Sequence, residues 1–218
     1  MFKIKEFISK PEGKIFLAGV LLLIVYILNI INLYLFSVKD ANNLVGMTVA
    51  NFLFGRAAGI SYGYTAEFND LAIVLMNMAV EFIMVMIIYP LFVLSWNSSV
   101  DIKFLKDMSE NIETQRVKYK EFFQKYGKYG LFIFVWFPFW MTGPVVGSII
   151  GYLIGIRHYT TMLIVLMGTS LAIVVWTYFL RELIGILNQA SSYATYILLA
   201  LFIVVAIVLK FRKKNTPN

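Results

Sequence analysis

The 218-residue chain contains no cysteine and a single histidine, His158. The first absence excludes disulfides, thiolate nucleophiles and cysteine-based metal sites. The second excludes histidine-rich metal centres and any triad that needs two imidazoles. Charge is scarce as well: 14% of residues are charged, against about 25% in a soluble domain. Hydrophobic residues make up 60% of the chain and aromatics 17%. These proportions describe an integral membrane protein with one compact membrane domain. No paired carboxylates, metal-ligand set or activated nucleophile is visible, so neither an enzyme nor a bound metal or cofactor is expected. The net charge of +7 is assigned to cytoplasmic loops rather than to nucleic-acid binding.

One stretch organises the rest. Val135-Trp-Phe-Pro-Phe-Trp-Met-Thr-Gly-Pro-Val-Val-Gly-Ser148 lies in a long apolar region but cannot form one clean helix. Pro138 and Pro144 lack an N–H and disfavour helical geometry before them, and Gly143 and Gly147 admit conformations other residues avoid. At membrane depth a broken backbone is tolerated only where it is buried in protein or lines a cavity. The stretch therefore reads as the tip of a re-entrant hairpin. Asn42–Asn69 is too short and polar to span yet too apolar for a solvated loop and reads as an earlier one; Gly55, Gly59 and Gly63 recur in it at every fourth residue, a spacing that permits close helix packing.

Around these hairpins, four apolar runs are long enough to span, about 20 residues being sufficient. They are Ile15–Phe36, Leu71–Trp96, Thr160–Leu180 and Tyr193–Leu209. The first is too long for a signal-peptide core and lacks a cleavage site, so it is read as retained. Its Asn29 and Asn32 are expected to face protein. Pro90 is expected to kink the end of the second, and Arg181–Ser192 reads as a polar turn. Asp101–Lys128 carries an apolar stripe at helical spacing and reads as an amphipathic surface helix. The expected architecture is all-α: four spans and two inverted re-entrant hairpins. It divides into a basic interfacial segment (1–14), a first repeat (15–96), a cytoplasmic amphipathic helix (97–128), a second repeat (129–209) and a basic tail (210–218). Lys and Arg placement puts both termini in the cytoplasm and the chain in the inner or plasma membrane. Ile73-Val-Leu-Met-Asn77 returns as Ile164-Val-Leu-Met-Gly168, a weak echo of the inverted repeats on which many secondary transporters are built.

Several residues suit chemistry. Arg56 would cost about 2.5–3.5 kcal/mol at membrane depth on insertion scales. It reads either as an anion site or as a structural partner of Glu81. Glu81 and Asn77, four residues apart, share a helix face. Glu81 reads as a proton or cation carrier or a salt-bridge partner, and Asn77 as a substrate contact or a hairpin contact. Glu67 and Asp70 are weaker coupling candidates that also read as solvated or capping carboxylates. Thr142 and Gly143 offer a hydroxyl and backbone amides to substrate. Gly55, Gly59, Pro138 and Pro144 form the hairpin breaks and gate.

Lys125-Tyr-Gly-Lys-Tyr-Gly through Trp136-Phe-Pro-Phe-Trp-Met-Thr-Gly-Pro144 resembles the signature of the small multi-drug export protein family. Pro138, Thr142, Gly143 and the Arg157 turn fall in register. Phe54-Gly-Arg-Ala-Ala-Gly-Ile-Ser-Tyr-Gly-Tyr64 and Met76-Asn77 resemble that family's first hairpin, with Arg56 on its arginine. Ser61 stands at the family's proline and Gly55 at its glutamate. The architecture is similar to the DedA/VTT group of lipid translocases, whose second hairpin carries arginines. This chain has none between Gly130 and Ile156. The resemblance implies a transporter of a lipid-linked phosphate (undecaprenyl phosphate) or phospholipid, with proton or cation coupling. A cationic drug exporter and a non-transporting membrane scaffold are the alternatives. The partners expected are membrane lipids, the anionic lipid or small-molecule substrate and a possible second copy of the chain.

Overall fold

The computed structural model describes residues 8–97, 120–136, 143–190, 196, 197, 199–205 and 207, with side chains described except at 97, 120–126 and 187–190. Every regular element among them is α-helical. In chain order these are α1 (Pro11–Phe36), α2 (Val38–Phe54), α3 (Arg56–Thr65), α4 (Asp70–Asn97), α5 (Lys120–Trp136), α6 (Pro144–Leu153) and α7 (His158–Ala190). α1, α4 and α7 are long and apolar enough to cross a membrane. Large apolar side chains stand exposed along them, among them Leu21, Leu28, Leu71, Leu163 and Ile186. Such a surface suits hydrocarbon, where a helix satisfies its own backbone.

Local chemistry sets the helix ends. Pro11 opens α1, at a position whose N–H needs no partner. Ser37 separates α1 from α2, and its Oγ accepts the Asp40 N–H at 3.2 Å, an N-cap that turns the chain directly into the next helix. Asn69 rather than Asp70 caps α4, its Oδ1 accepting the Ala72 N–H at 2.8 Å. Pro90 lies inside α4, which continues to Asn97. α7 runs straight through the expected turn at Arg181, because Ile184 continues the buried face. Asn29 and Asn32 are exposed rather than protein-facing. Here α1 is exposed on almost every side, with Leu28, Ile31 and Leu35 also uncovered.

Of the expected fourth span, residues 196, 197, 199–205 and 207 are helical. Most of the expected amphipathic helix, the 1–7 segment and the 210–218 tail lie outside the described residues. Residues 120–128 belong to α5, whose path breaks at Gly127 (φ 50°, ψ −118°).

The chain forms two compact units. One contains the described parts of Ile27–Val80 and Leu171–Asn218, the other those of Met1–Tyr26, Glu81–Phe137 and Met141–Ser170. Each is organised around a helical hairpin. In the first, α2 and α3 pack antiparallel: Met47 faces Gly63 and Asn51 faces Gly59, pairs that centre on Gly55, and Gly46 faces Tyr62, centred one residue earlier. The break falls at Gly55, at φ 90°, ψ 176°, a left-handed φ that suits glycine. In the second, Val135 faces Gly147 and Leu131 faces Gly151, pairs that centre on residue 141, with the tip 137–142 outside the described residues.

The hairpins are copies of one backbone design. α3 and α6 are each ten residues long and begin 88 residues apart, at Arg56 and Pro144. Both end in the same turn. Glu67 N–H bonds Tyr64 O and Phe68 N–H bonds Gly63 O, as Gly155 N–H bonds Tyr152 O and Ile156 N–H bonds Gly151 O. Glu67 and Gly155 both take positive φ, 62° and 82°, completing a Schellman cap in each copy. The repeat therefore runs three residues out of step with the Ile73/Ile164 echo, which places equivalent residues 91 apart.

Candidate functional site

The polar centre of the first unit is assembled where α2, α3 and the start of α4 converge. Gly59 has no side chain to hold α2 away. A Cβ there would lie 2.7 Å from Asn51 Cβ and 2.3 Å from Asn77 Oδ1. This close approach brings Asn51 and Asn77 together, and Asn51 Nδ2 donates to Asn77 Oδ1 at 2.6 Å. Asn77 Nδ2 donates in turn to Ile73 O at 2.7 Å. Both asparagines are buried, at 3% and 1% exposure. One turn back along α3 is Arg56, the first residue after the Gly55 break and only 2% exposed. Gly55, the N-cap residue of α3, has no side chain with which to cap it, and the first-turn amides add their dipoles to the guanidinium charge.

The equivalent place in the second unit is apolar. Gly147 takes the place of Gly59, and a Cβ there would meet Val135 Cγ2 at 2.5 Å where Gly59 would meet Asn51. Val165 stands 88 residues after Asn77 and Pro144 88 after Arg56; Val135, Pro144 and Val165 are all buried. The same backbone thus closes around two valines and a proline in one copy, and around two asparagines and an arginine in the other.

The remaining expected residues are placed as follows. Glu81 is buried within α4, at 4% exposure, on the face shared with Asn77, and belongs to the second-hairpin unit. Glu67 is exposed, at its positive-φ turn position. Asp70 opens α4, ion-pairs with Arg181 and accepts a hydrogen bond from Tyr64 Oη at 3.1 Å. Gly143 directly precedes α6, and Pro144 is its buried first residue. Thr142 and Pro138 lie outside the described residues. The structure thus brings Gly55, Arg56, Gly59 and Asn77 together in the first unit.

Asn51, Tyr64 and Arg181 were not singled out in the sequence. Asn51 is one of several polar residues of α2, with Lys39, Asp40, Asn42, Asn43 and Thr48, and only its distance of eight residues from Gly59 across the Gly55 break could have flagged it. Tyr64 Oη lies 3.0 Å from Thr177 O as well as near Asp70. Burial first, and then the Asp70 carboxylate, push the Tyr64 hydroxyl above the usual tyrosine range, so it remains a donor. The corresponding Tyr152 packs on Tyr89, ring centroids 6.4 Å apart. Thr177 and Tyr89 are themselves 88 residues apart, so the exchange of contacts is reciprocal.

A chain whose described residues form only helices, three of them of membrane-spanning length, with a repeated hairpin unit of which one copy holds a buried guanidinium, is a polytopic membrane protein. It belongs to the family described as "Putative small multi-drug export protein", whose model matches residues 56–175, more than half the chain. No curated protein and no solved structure matches it.

Proposed function

We propose that the protein is a membrane exporter that recognises an anionic group on its substrate at the first hairpin, through Arg56, the start of α3 and the adjoining Asn51–Asn77 pair. The observation that supports this reading is the contrast between the copies. Val135, Pro144 and Val165 fill the same backbone positions in the other copy, so this hairpin backbone can also be built around apolar groups. A guanidinium at membrane depth is costly to keep, and it offers a planar fork suited to phosphate or carboxylate.

The substrate class that fits is an amphiphile with a phosphate headgroup, a phospholipid or lipid-linked phosphate such as undecaprenyl phosphate. Glu81 then carries the coupling proton or cation, as an ionisable group held within a membrane-length helix. The chain lies in the inner or plasma membrane with both termini cytoplasmic, the orientation that its Lys and Arg placement favours. Repeat-built folds of this kind are common among secondary transporters.

The family description favours a second reading, export of a cationic drug with Glu81 as the binding carboxylate. Reconstituted vesicles separate the two. Fluorescent phosphatidylglycerol should change leaflets faster in protein-containing vesicles, and Arg56→Ala should abolish the gain. Transport of ethidium with no effect on the lipid, lost in Glu81→Gln but kept in Arg56→Ala, establishes the second reading instead.

A further inference from the structure

The only histidine of the chain lies at the start of α7, in the second-hairpin unit, among side chains from three other helices of that unit. Its Nδ1 is 2.8 Å from Tyr89 Oη on α4. Its Nε2 is 3.9 Å from Glu12 Oε2 on α1. The Tyr152 ring of α6 lies against the imidazole, centroids 5.8 Å apart and tilted by 31°. Tyr89 is fully buried and its ring also stands edge-on to the imidazole at 6.0 Å. The adjoining Arg157 is exposed.

The repeat supplies the comparison. The residue 88 positions earlier is Asp70, beside Tyr64 as His158 is beside Tyr152, and Asp70 is closed by Arg181. A guanidinium keeps its charge at every physiological pH. Histidine is the side chain whose charge ordinarily changes between pH 5 and 8. One copy of the repeat thus closes this corner with a permanent cation, and the other with a titratable one.

We propose that His158 is a proton-binding site that locks the start of α1 onto the second-hairpin unit. When the imidazole is neutral, Tyr89 donates to Nδ1 and Nε2 carries the ring proton. Uptake of a proton puts donors on both nitrogens. Nε2–H then donates to the Glu12 carboxylate as a charge-assisted bond, Nδ1–H donates to Tyr89, and the Tyr152 face meets a cation. The dipole of α7 opposes a cation at its first residue, and Glu12 supplies the negative charge that offsets it. Among the described residues, Tyr89, Tyr152 and Glu12 are the titratable groups that face His158 from α4, α6 and α1. The inference does not depend on what the protein exports.

A cysteine-free chain makes the test clean. Spin labels are placed at Lys10→Cys and Tyr159→Cys, both exposed positions, in full-length protein in lipid nanodiscs, with an affinity tag free of histidine. The short-distance population should rise about two-fold or more from pH 8 to pH 5.5. It should stay at its pH 8 level at both pH values in His158→Gln and in Glu12→Gln. A distance distribution that is the same at both pH values in the unmodified pair overturns the proposal. So does a pH response that survives in both variants, each checked to be folded by its thermal transition.

Discussion

Asn51 and Asn77 hydrogen-bond at 2.6 Å inside the first hairpin unit, where Val135 and Val165 stand in the second. Removing one partner of a buried pair leaves the other unsatisfied, at about 1–3 kcal/mol, whereas replacing both with apolar groups is close to neutral. Asn51→Val and Asn77→Val should therefore each lower the unfolding midpoint in detergent. The double variant should recover most of that loss while losing transport. Thermal melts and vesicle assays on the three proteins check this. A double variant that transports normally removes the pair from the site.

Close helix approach makes a second prediction. Gly59→Ala and Gly147→Ala each insert a methyl group where less than 3 Å is open, and overpacking of this kind costs about 1–3 kcal/mol. Both should melt earlier than the parent. Gly185, exposed on α7 and with nothing within 4 Å of a Cβ among the described residues, is the contrast. Gly185→Ala should stabilise by up to about 1 kcal/mol through helix propensity alone.

Glu67 tests the turn. It adopts a φ of 62° at the position where the other copy has Gly155, so a side chain is paying a conformational cost that glycine avoids. Glu67→Gly should raise the melting midpoint, with a gain in stability of roughly 1 kcal/mol from relief of the left-handed penalty, and leave transport unchanged. Loss of transport with a raised midpoint would place Glu67 in the coupling machinery.

The pair of Asp70 and Arg181 is partly exposed, with side chains 29% and 56% accessible. Exposed pairs contribute about 0–1 kcal/mol and weaken with salt. A double-mutant cycle of Asp70→Asn and Arg181→Gln should give a coupling energy in that range that shrinks at high salt. A salt-independent coupling of several kcal/mol would contradict this description of the corner.

The helical pairings were legible in part, because glycine spacing reports directly on backbone approach and Pro144 opens α6; the expected tip at Pro138 lies outside the described residues. Gly59 and Gly63 do pack as their period implied, and Gly55 is the break. The register of the repeat was not legible. It is set by a turn in which Glu67 and Gly155 share a conformation without sharing chemistry, while Ile73–Asn77 and Ile164–Gly168 share composition without sharing a position. Arg181 was read as a turn because its stretch is polar, yet polarity on one face does not end a helix when Ile184 keeps the other buried. Arg56 and Asn77 stood out by their polarity in apolar surroundings. Asn51 became visible only when the fold placed it opposite Gly59.

The most direct measurement is the transbilayer movement of fluorescent phosphatidylglycerol in vesicles holding the unmodified protein, Arg56→Ala or Arg56→Lys at equal, folded amounts. The account expects the unmodified protein to accelerate movement, Arg56→Lys to retain part of the rate as a point charge without the planar fork, and Arg56→Ala to match empty vesicles. Full-rate movement by Arg56→Ala would contradict an anion site at the first hairpin.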